Sequence, residues 1–423
     1  MASNDFSKEE RVQFDNVIEG FNDALVASKN VNIYGTDGTL MERANDTIWR
    51  PAQYISVGGN RVVGSAVSAK NKVQLSVPAT IGYQPNDTFE MDALEMRDAL
   101  QEGRLGMASK DYLASRVNSD VLSVATLQAT IVVPISTAAG SYDNIALCES
   151  VMNEQGVLQS ERYMMLNTRD HNGMAGNLAS RSTMQGKPTN AYEKSYVGPV
   201  ANFETYKLDS GRRIAAKAGT GLTIDTRASA LNYYVPKATR VASTGEVSNV
   251  DNRYQQVTIS ATTGIVAGDA FTIANINAVH HINKTDTGQL KTYRVISVDS
   301  ATTMTISPPI ISNQGATDVE EAYQNCKVNS TSATAAITFL NLAASGYNVF
   351  WRKPAIELLP GRYAVPSGQG AAVMKASTDN GIEVVMTKRF DTTTFKTLFT
   401  FDCRYGVVMT DPEQCGVLLF NQA

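Results

Sequence analysis

A chain of 423 residues exceeds what one hydrophobic core holds and predicts two or three domains. Hydrophobic residues make up 43% of it, ample for packed cores, and the formal net charge of -4 argues against a protein that grips nucleic acid through clustered Lys and Arg. Cys148, Cys326, Cys403 and Cys415 form no CxxC and no metal spacing, and they read as inert thiols of a reducing cytosol.

The opening MASNDFSKEE has no basic start followed by an apolar run, so no signal peptide is expected. No stretch of eighteen apolar residues exists to span a membrane. Residues 5–27 read as an amphipathic helix. Phe14, Val17, Ile18, Phe21 and Leu25 share one face, and Asp15, Glu19 and Asp23 line an acidic stripe beside it. The polar link Tyr34-Gly35-Thr36-Asp37-Gly38 follows, and no helix lies nearby in sequence to pack on. Such a helix docks on another chain or, alternatively, on its own subunit's core.

Residues 52–84 have strand and turn character, with Gly58-Gly59-Asn60 as a hairpin turn and Val73, Leu75 and Val77 alternating with Gln74 and Ser76. This hairpin has too few large apolar residues to own a core. Residues 108–128 read as a long helix with Leu113, Val117, Val121, Val124 and Ala125 as its stripe, running about 30 Å. Pro134 and Ala138-Ala139-Gly140 end that unit. Ser141-Tyr142-Asp143 opens a second helix with Ile145, Leu147, Val151 and Met152 apolar, and Met164-Met165-Leu166 reads as a buried strand.

Four alternating runs follow within Val250–Ile306: Val257–Ser260, Phe271–Ala274, Tyr293–Ile296 and Thr303–Ile306. Gly264, Gly268-Asp269 and Asp299-Ser300 break between them. Short bounded strands at this spacing predict a small antiparallel barrel, set between Leu222 and Ser345. Residues 310–335 read as a polar surface loop. Beyond Trp351, Glu383–Met386 and Lys396–Phe401 form an antiparallel pair about an Asp391–Thr394 turn.

Catalytic chemistry finds little to build on. Gly186-Lys187-Pro188-Thr189 fails as a P-loop, because Arg181 stands where the first glycine belongs and proline interrupts the Lys-Thr step. Gly219-Thr220-Gly221 has no third glycine and reads as a hinge. His280-His281 has only Asp286 nearby and reads as a solvated loop, not a metal site. Arg169-Asp170-His171 reads as a helix start with Asp170 capping. No catalytic residue, metal ligand or cofactor is expected. Aromatic residues lack the basic interleaving of a nucleic-acid platform.

Five stretches, in order, resemble one family. They are Asn45–Pro51 (NDTIWRP), Asp92–Asp98 (DALEMRD), Val250–Ile276, Asn348–Trp351 (NVFW) and Arg404–Leu419 (RYGVVMTDPEQCGVLL). They resemble the coat proteins of short-tailed, lambda-related phages of Salmonella and Shigella, closest to the Shigella members. Residues 145–213 match that family only loosely. The resemblance implies an α+β Hong Kong 97 capsid fold with an inserted six-stranded antiparallel β-barrel. Its parts would be an N-terminal arm (1–45), an extended loop (46–90) that reaches a neighbouring subunit, and a peripheral domain with a spine helix (91–135). An axial domain (136–221), the inserted barrel (222–345) and the returning axial and peripheral strands (346–423) complete it.

The resemblance further implies a non-enzymatic major capsid protein that assembles as pentamers and hexamers with scaffolding protein and portal. The shell would expand as it encloses double-stranded DNA non-specifically, in a virion assembled in the host cytoplasm without a membrane. Asp15, Glu19 and Asp23 fall where that arm meets basic scaffold. Trp49 and Trp351 stand in two of the motifs, as interface supports or as plain core anchors. The alternative is a β-rich tail or receptor-binding protein, which leaves the long helix and the arm unexplained.

Overall fold

In the computed structural model, the residues described are 6, 8–35, 47–53, 55–56, 63–64, 70–92, 99–180, 194–195, 197–208, 213–217, 221–225, 233–312, 317–329, 334–363 and 372–420. The chain forms two units. One comprises residues 1–48, 79–124 and 356–408, the other residues 49–78, 125–355 and 409–423.

The first unit is built on a four-stranded antiparallel sheet, ordered Ala372–Ser377, Glu383–Asp391, Lys396–Cys403, Asn86–Met91. Helix α1 (Lys8–Ala24) lays its predicted stripe against this unit, so Phe14, Val17, Phe21 and Leu25 are buried. Phe14 stacks on Phe401 at 6.5 Å, and Phe89 stacks on Phe399 at 5.5 Å. Helix α2 (Ala99–Gln128) begins nine residues before the predicted start, and its last turn, from Ala125, belongs to the second unit. Gly103 and Gly106 lower the helix signal there. Gly106 has a packing reason, since a Cβ on it would sit 3.4 Å from Val17 of α1. Asn118 of α2 fixes the end of α1: its amide donates to the Ala24 carbonyl at 2.9 Å and accepts from Ala27 N–H at 3.1 Å. The arm helix thus docks on its own subunit, the second of the two sequence expectations.

The second unit holds a core sheet ordered Ile131–Ile135, Cys415–Phe420, Ser345–Arg352, Arg162–Asn167, Glu204–Leu208. Its outer pairings are parallel and its central ones antiparallel. A strand buried on both faces reads as a continuous apolar run, and CGVLLF at 415–420 is buried throughout. Helices α3 (Tyr142–Glu154) and α4 (Thr168–Ala179) accompany this sheet. Ile145, Cys148, Met152, Met164, Phe203 and Phe350 share one core. Leu147, expected on the apolar face, is instead exposed.

Where the small β domain is predicted, the second unit holds a nearly closed sheet of seven strands, six of them in one continuous path and referred to below as the six-stranded sheet. Its order is Gln255–Thr258, Thr303–Ser307, Asp286–Val298, Ala270–Val279, Thr334–Phe339, Thr223–Asp225. A single antiparallel bridge, Ile224 to Ile259, brings the last strand back beside the first. Alternate residues fill its core, among them Val257, Phe271, Ile273, Tyr293, Val295 and Met304. Residues 310–335 are not simply a loop. A short helix, Asp318–Tyr323, opens on a capping box in which Thr317 and Glu320 satisfy each other's backbone N–H. Strand Cys326–Val328 then pairs with Ala270–Val279.

Thr47–Pro51 pairs with Ser76–Thr80, while Gly58-Gly59-Asn60 lies outside the described residues. The foot of this hairpin is core, contrary to the sequence expectation. Leu75 is buried in a cluster with Ile311 and Tyr323, and Tyr323 donates to the Val73 carbonyl at 3.0 Å. The hairpin borrows apolar partners from sequence more than 230 residues away, as the numbering of Leu75 and Ile311 shows. Asp92–Asp98 and Gly186–Thr189 also fall, wholly or largely, outside the described residues, as do Gly219 and Thr220.

Because the six-stranded sheet encloses its own core, residues 222–345 expressed alone should melt cooperatively and give dispersed amide resonances. A fragment that stays unfolded in native buffer would show that the enclosed core does not suffice.

Candidate functional site

Strand Asp286–Val298 carries the densest polar chemistry among the described residues. Alternation places Lys291 on the same side as Tyr293 and Val295, and Thr292 with Arg294 on the other. Arg294 is fully buried and donates to the Thr126 carbonyl in the last turn of α2 at 2.6 Å. Its guanidinium also lies 5.9 Å from the Tyr347 ring. Thr292 donates to the Thr130 carbonyl at 2.6 Å and accepts from Val132 N–H at 3.3 Å. A helix end leaves carbonyls without intrahelical partners. Here a side chain from the six-stranded sheet answers one of them, and its neighbour ties down the link to strand Ile131–Ile135.

Lys291, 2% exposed, is ion-paired with Glu413. His281 Nε2 lies 3.9 Å from the same carboxylate. The turn carrying His281 is seated on the end of α3, where His281 N–H donates to Gln155 O at 2.9 Å. Gly156 stands at φ +81°, and a Cβ there would meet the His280 ring at 2.6 Å. Arg253 completes the fastening: it is ion-paired with Asp251 and donates to the Met409 carbonyl at 2.7 Å. His280-His281 is therefore not a solvated loop. The sequence showed Asp286 as the nearest acid, whereas folding brings up Glu413, 132 positions beyond His281.

The electrostatics follow from burial. Burial pushes His281 down to about 4 and Lys284 down to about 8. Burial, aided by the Glu413 charge, pushes Asp411 up to about 6. Burial also raises Glu413, but the Lys291 and His281 charges outweigh it and hold the carboxyl below its ordinary value. Burial lifts all four thiols, Cys326 and Cys403 to about 12, which leaves no ready thiolate. Among the described residues no group of three His, Cys, Asp or Glu could hold a metal ion. No helix among them is long and apolar enough to cross a membrane. The arrangement fastens structure; it offers no nucleophile.

The residues singled out from sequence are dispersed. Asp15 and Glu19 are exposed on α1, and the side chain of Asp23 lies outside the described residues. Trp49 is half-buried on Thr47–Pro51. Trp351 is fully buried, with Tyr163 6.5 Å away, so it is a core anchor with no surface to present. Asp170 does not cap α4. Asn167 does, accepting from Arg169 N–H at 3.3 Å, while Asp170 is buried inside the first turn and accepts from Asn348 at 2.7 Å. Burial pushes the neighbouring His171 below its ordinary value.

The chain matches the family described as P22 coat protein - gene protein 5 over residues 1–421. Among solved structures, one from Mycobacterium phage Che8 aligns at 10% identity and TM-score 0.44, covering 93% of this chain and 90% of that one. The capsid of the cyanophage P-SCSP1u aligns at 10% identity and TM-score 0.41, covering 93% and 86%. The CUS-3 coat protein I-domain is 38% identical over 30% of this chain and 99% of its own, with TM-score 0.23.

Two measurements test the polar fastening. Glu413→Gln leaves the Lys291 ammonium buried without its counter-charge and should destabilise the protein by about 3 kcal/mol, read in denaturant unfolding. The pH dependence has two opposed parts. His281 is depressed from 6.5, so its contribution is full above about 6.5 and is lost as pH falls toward 4. Asp411 is raised from 3.8, so its contribution is full below about 3.8 and is lost as pH rises through 6. Between pH 6.5 and 4, His281→Gln should therefore flatten or reverse the acid loss of melting temperature, and Asp411→Asn should steepen it. Curves parallel to wild type would contradict these environments.

Proposed function

Because the chain belongs to the P22 coat protein family, it is a major capsid protein of a bacteriophage's icosahedral shell, and we propose that it builds that shell through the Hong Kong 97 architecture. The role is structural and not enzymatic. In this reading the six-stranded sheet is an inserted β-barrel, residues 222–345, carried by an axial domain at 136–221 and 346–423. The unit containing α1 and α2 supplies the arm (1–45) and the peripheral domain (91–135), with α2 as the spine helix. Residues 46–90 are the extended loop. Its foot is fixed by Leu75 in its own subunit, and the loop reaches a neighbouring subunit in this reading. In this reading the chain groups with the Shigella phage members of that family.

The observation that carries the assembly reading is the division of labour on α1. Its apolar stripe is spent on its own subunit, and Asp15 and Glu19 remain exposed. A basic segment of scaffolding protein would then be drawn by charge alone, with no share of the apolar face. Subunits guided this way close around a portal at one vertex in the host cytoplasm. The shell then expands as DNA enters, and a chain of net charge -4 leaves the duplex free to slide.

Exposed ion pairs are each worth at most about 1 kcal/mol, so single changes should weaken scaffold binding only modestly. Asp15→Lys with Glu19→Lys should fold normally but assemble poorly with scaffold. Wild-type binding should weaken as the Debye length shrinks from about 10 Å at 0.1 M salt to about 3 Å at 1 M. Binding measured across a salt series decides this: salt-independent binding, with no defect in the double variant, would assign the scaffold contact elsewhere.

A further inference from the structure

Strands Glu383–Asp391 and Lys396–Cys403 run to a turn that ends in two phenyl rings. Phe390 is 44% exposed and Phe395 71%. The rings meet edge-on, 6.2 Å apart. Phe395 sits at φ 54°, in the left-handed region that a bulky residue seldom adopts. Asp391 holds the turn there, accepting from Thr393 N–H at 2.8 Å and from the Thr394 hydroxyl at 3.1 Å. A strained backbone thus presents an aromatic pair to water, although aromatic rings gain most from burial.

The same unit contains a groove of about 550 Å³ between α1, α2 and the face of this sheet. Its walls include Phe14, Val17, Met386, Phe399 and Phe401, each packed within the unit and at most 5% exposed, and its open lip is Met107, 48% exposed. The tip cannot enter its own groove. Phe395 stands six residues beyond Phe401, roughly 20 Å along an extended chain at about 3.3 Å per residue. The acidic α1 flank is opposite in sign to Arg389 at the tip, while on the α2 side Arg104 also lines the groove and Asp111 is ion-paired with Lys110. Arg389 is exposed beside the tip. The carboxylates of Asp15 and Glu19 flank groove-lining Asn16 on α1, and Asp111 stands 71% exposed on the α2 lip.

We propose that the Phe390–Phe395 tip of one subunit seats in the α1–α2 groove of a second copy of this chain. A donor and an acceptor held apart on one rigid unit make a head-to-tail contact. Contacts of that kind join identical subunits into a ring where the rotation between copies closes, and into an open filament where it does not. The inference rests on the shell-forming reading and adds to it a specific contact between copies.

The test uses full-length chain carrying Phe395→Cys and Met107→Cys, assembled into shells and treated with a short bismaleimide. The four native cysteines are 0% exposed and do not compete. The expected result is a ladder of covalent dimers and larger rings from particles, with none from dilute monomer or from either single variant. Should the double variant fail to assemble, the two single variants co-assembled with excess wild type give the same readout, as a heterodimer. Phe395→Ser should raise the protein concentration needed for shells by roughly tenfold or more. Shells without cross-links would overturn the contact, and cross-links from Phe395→Cys alone would show that tips meet one another instead. Wild-type protein that sediments without forming shells would overturn the shell-forming reading itself, before any reagent is added.

Discussion

Strand Asp286–Val298 joins the six-stranded sheet to the rest of its unit, and it does so with buried charge. Lys291 with Glu413, Arg294 with the end of α2, and Thr292 with the Thr130 carbonyl replace water for groups that can no longer reach it. Such contacts add little over an apolar match but are costly to break one-sidedly, since a stranded ammonium or guanidinium keeps its full desolvation cost. They favour one seating of the sheet over many. A sheet whose sequence lies between strands Glu204–Leu208 and Ser345–Arg352 of another core needs that selectivity, because an apolar patch alone would tolerate sliding.

The same logic separates holding from recognising on α1. The four large residues of its stripe are consumed by the helix's own unit, with Gly106 allowing the close approach of α2. What remains exposed is Asp15 and Glu19. In the proposed reading this arrangement suits a coat subunit: internal packing keeps one fold in every position of the shell, and weak, screened charges on α1 keep the scaffold contact reversible while assembly errors are corrected.

Much of this was legible from local pattern. The alternating runs 257–260, 271–274, 293–296 and 303–306 all lie in or overlap the observed sheet, and Phe14 to Leu25 name the buried face of α1. Helix Asp318–Tyr323 was hidden in polar sequence, although the Thr317–Glu320 spacing carried the signal, and strand Thr334–Phe339 went unread although Ala335, Ile337 and Phe339 alternate inward along it. The fastening residues were illegible for another reason. Lys291 to Glu413 spans 122 positions and Arg294 to Thr126 spans 168, so no local window contains both partners. One clue was available: Lys291 shares its strand parity with Tyr293 and Val295, and an inward lysine needs a counter-charge somewhere. Asp170 and His281 misled because each was judged by its sequence neighbours, while Asn348 and Glu413 decided their environments.

The most direct test of a coat subunit whose β sheet is fastened by buried polar groups is an image reconstruction of particles formed by the intact chain with scaffold. Closed icosahedral shells are expected, in which every subunit, whatever its position, keeps strand 286–298 against the C-terminal end of α2. Trimeric rods, or shells in which that strand leaves α2 at some positions, would contradict that expectation.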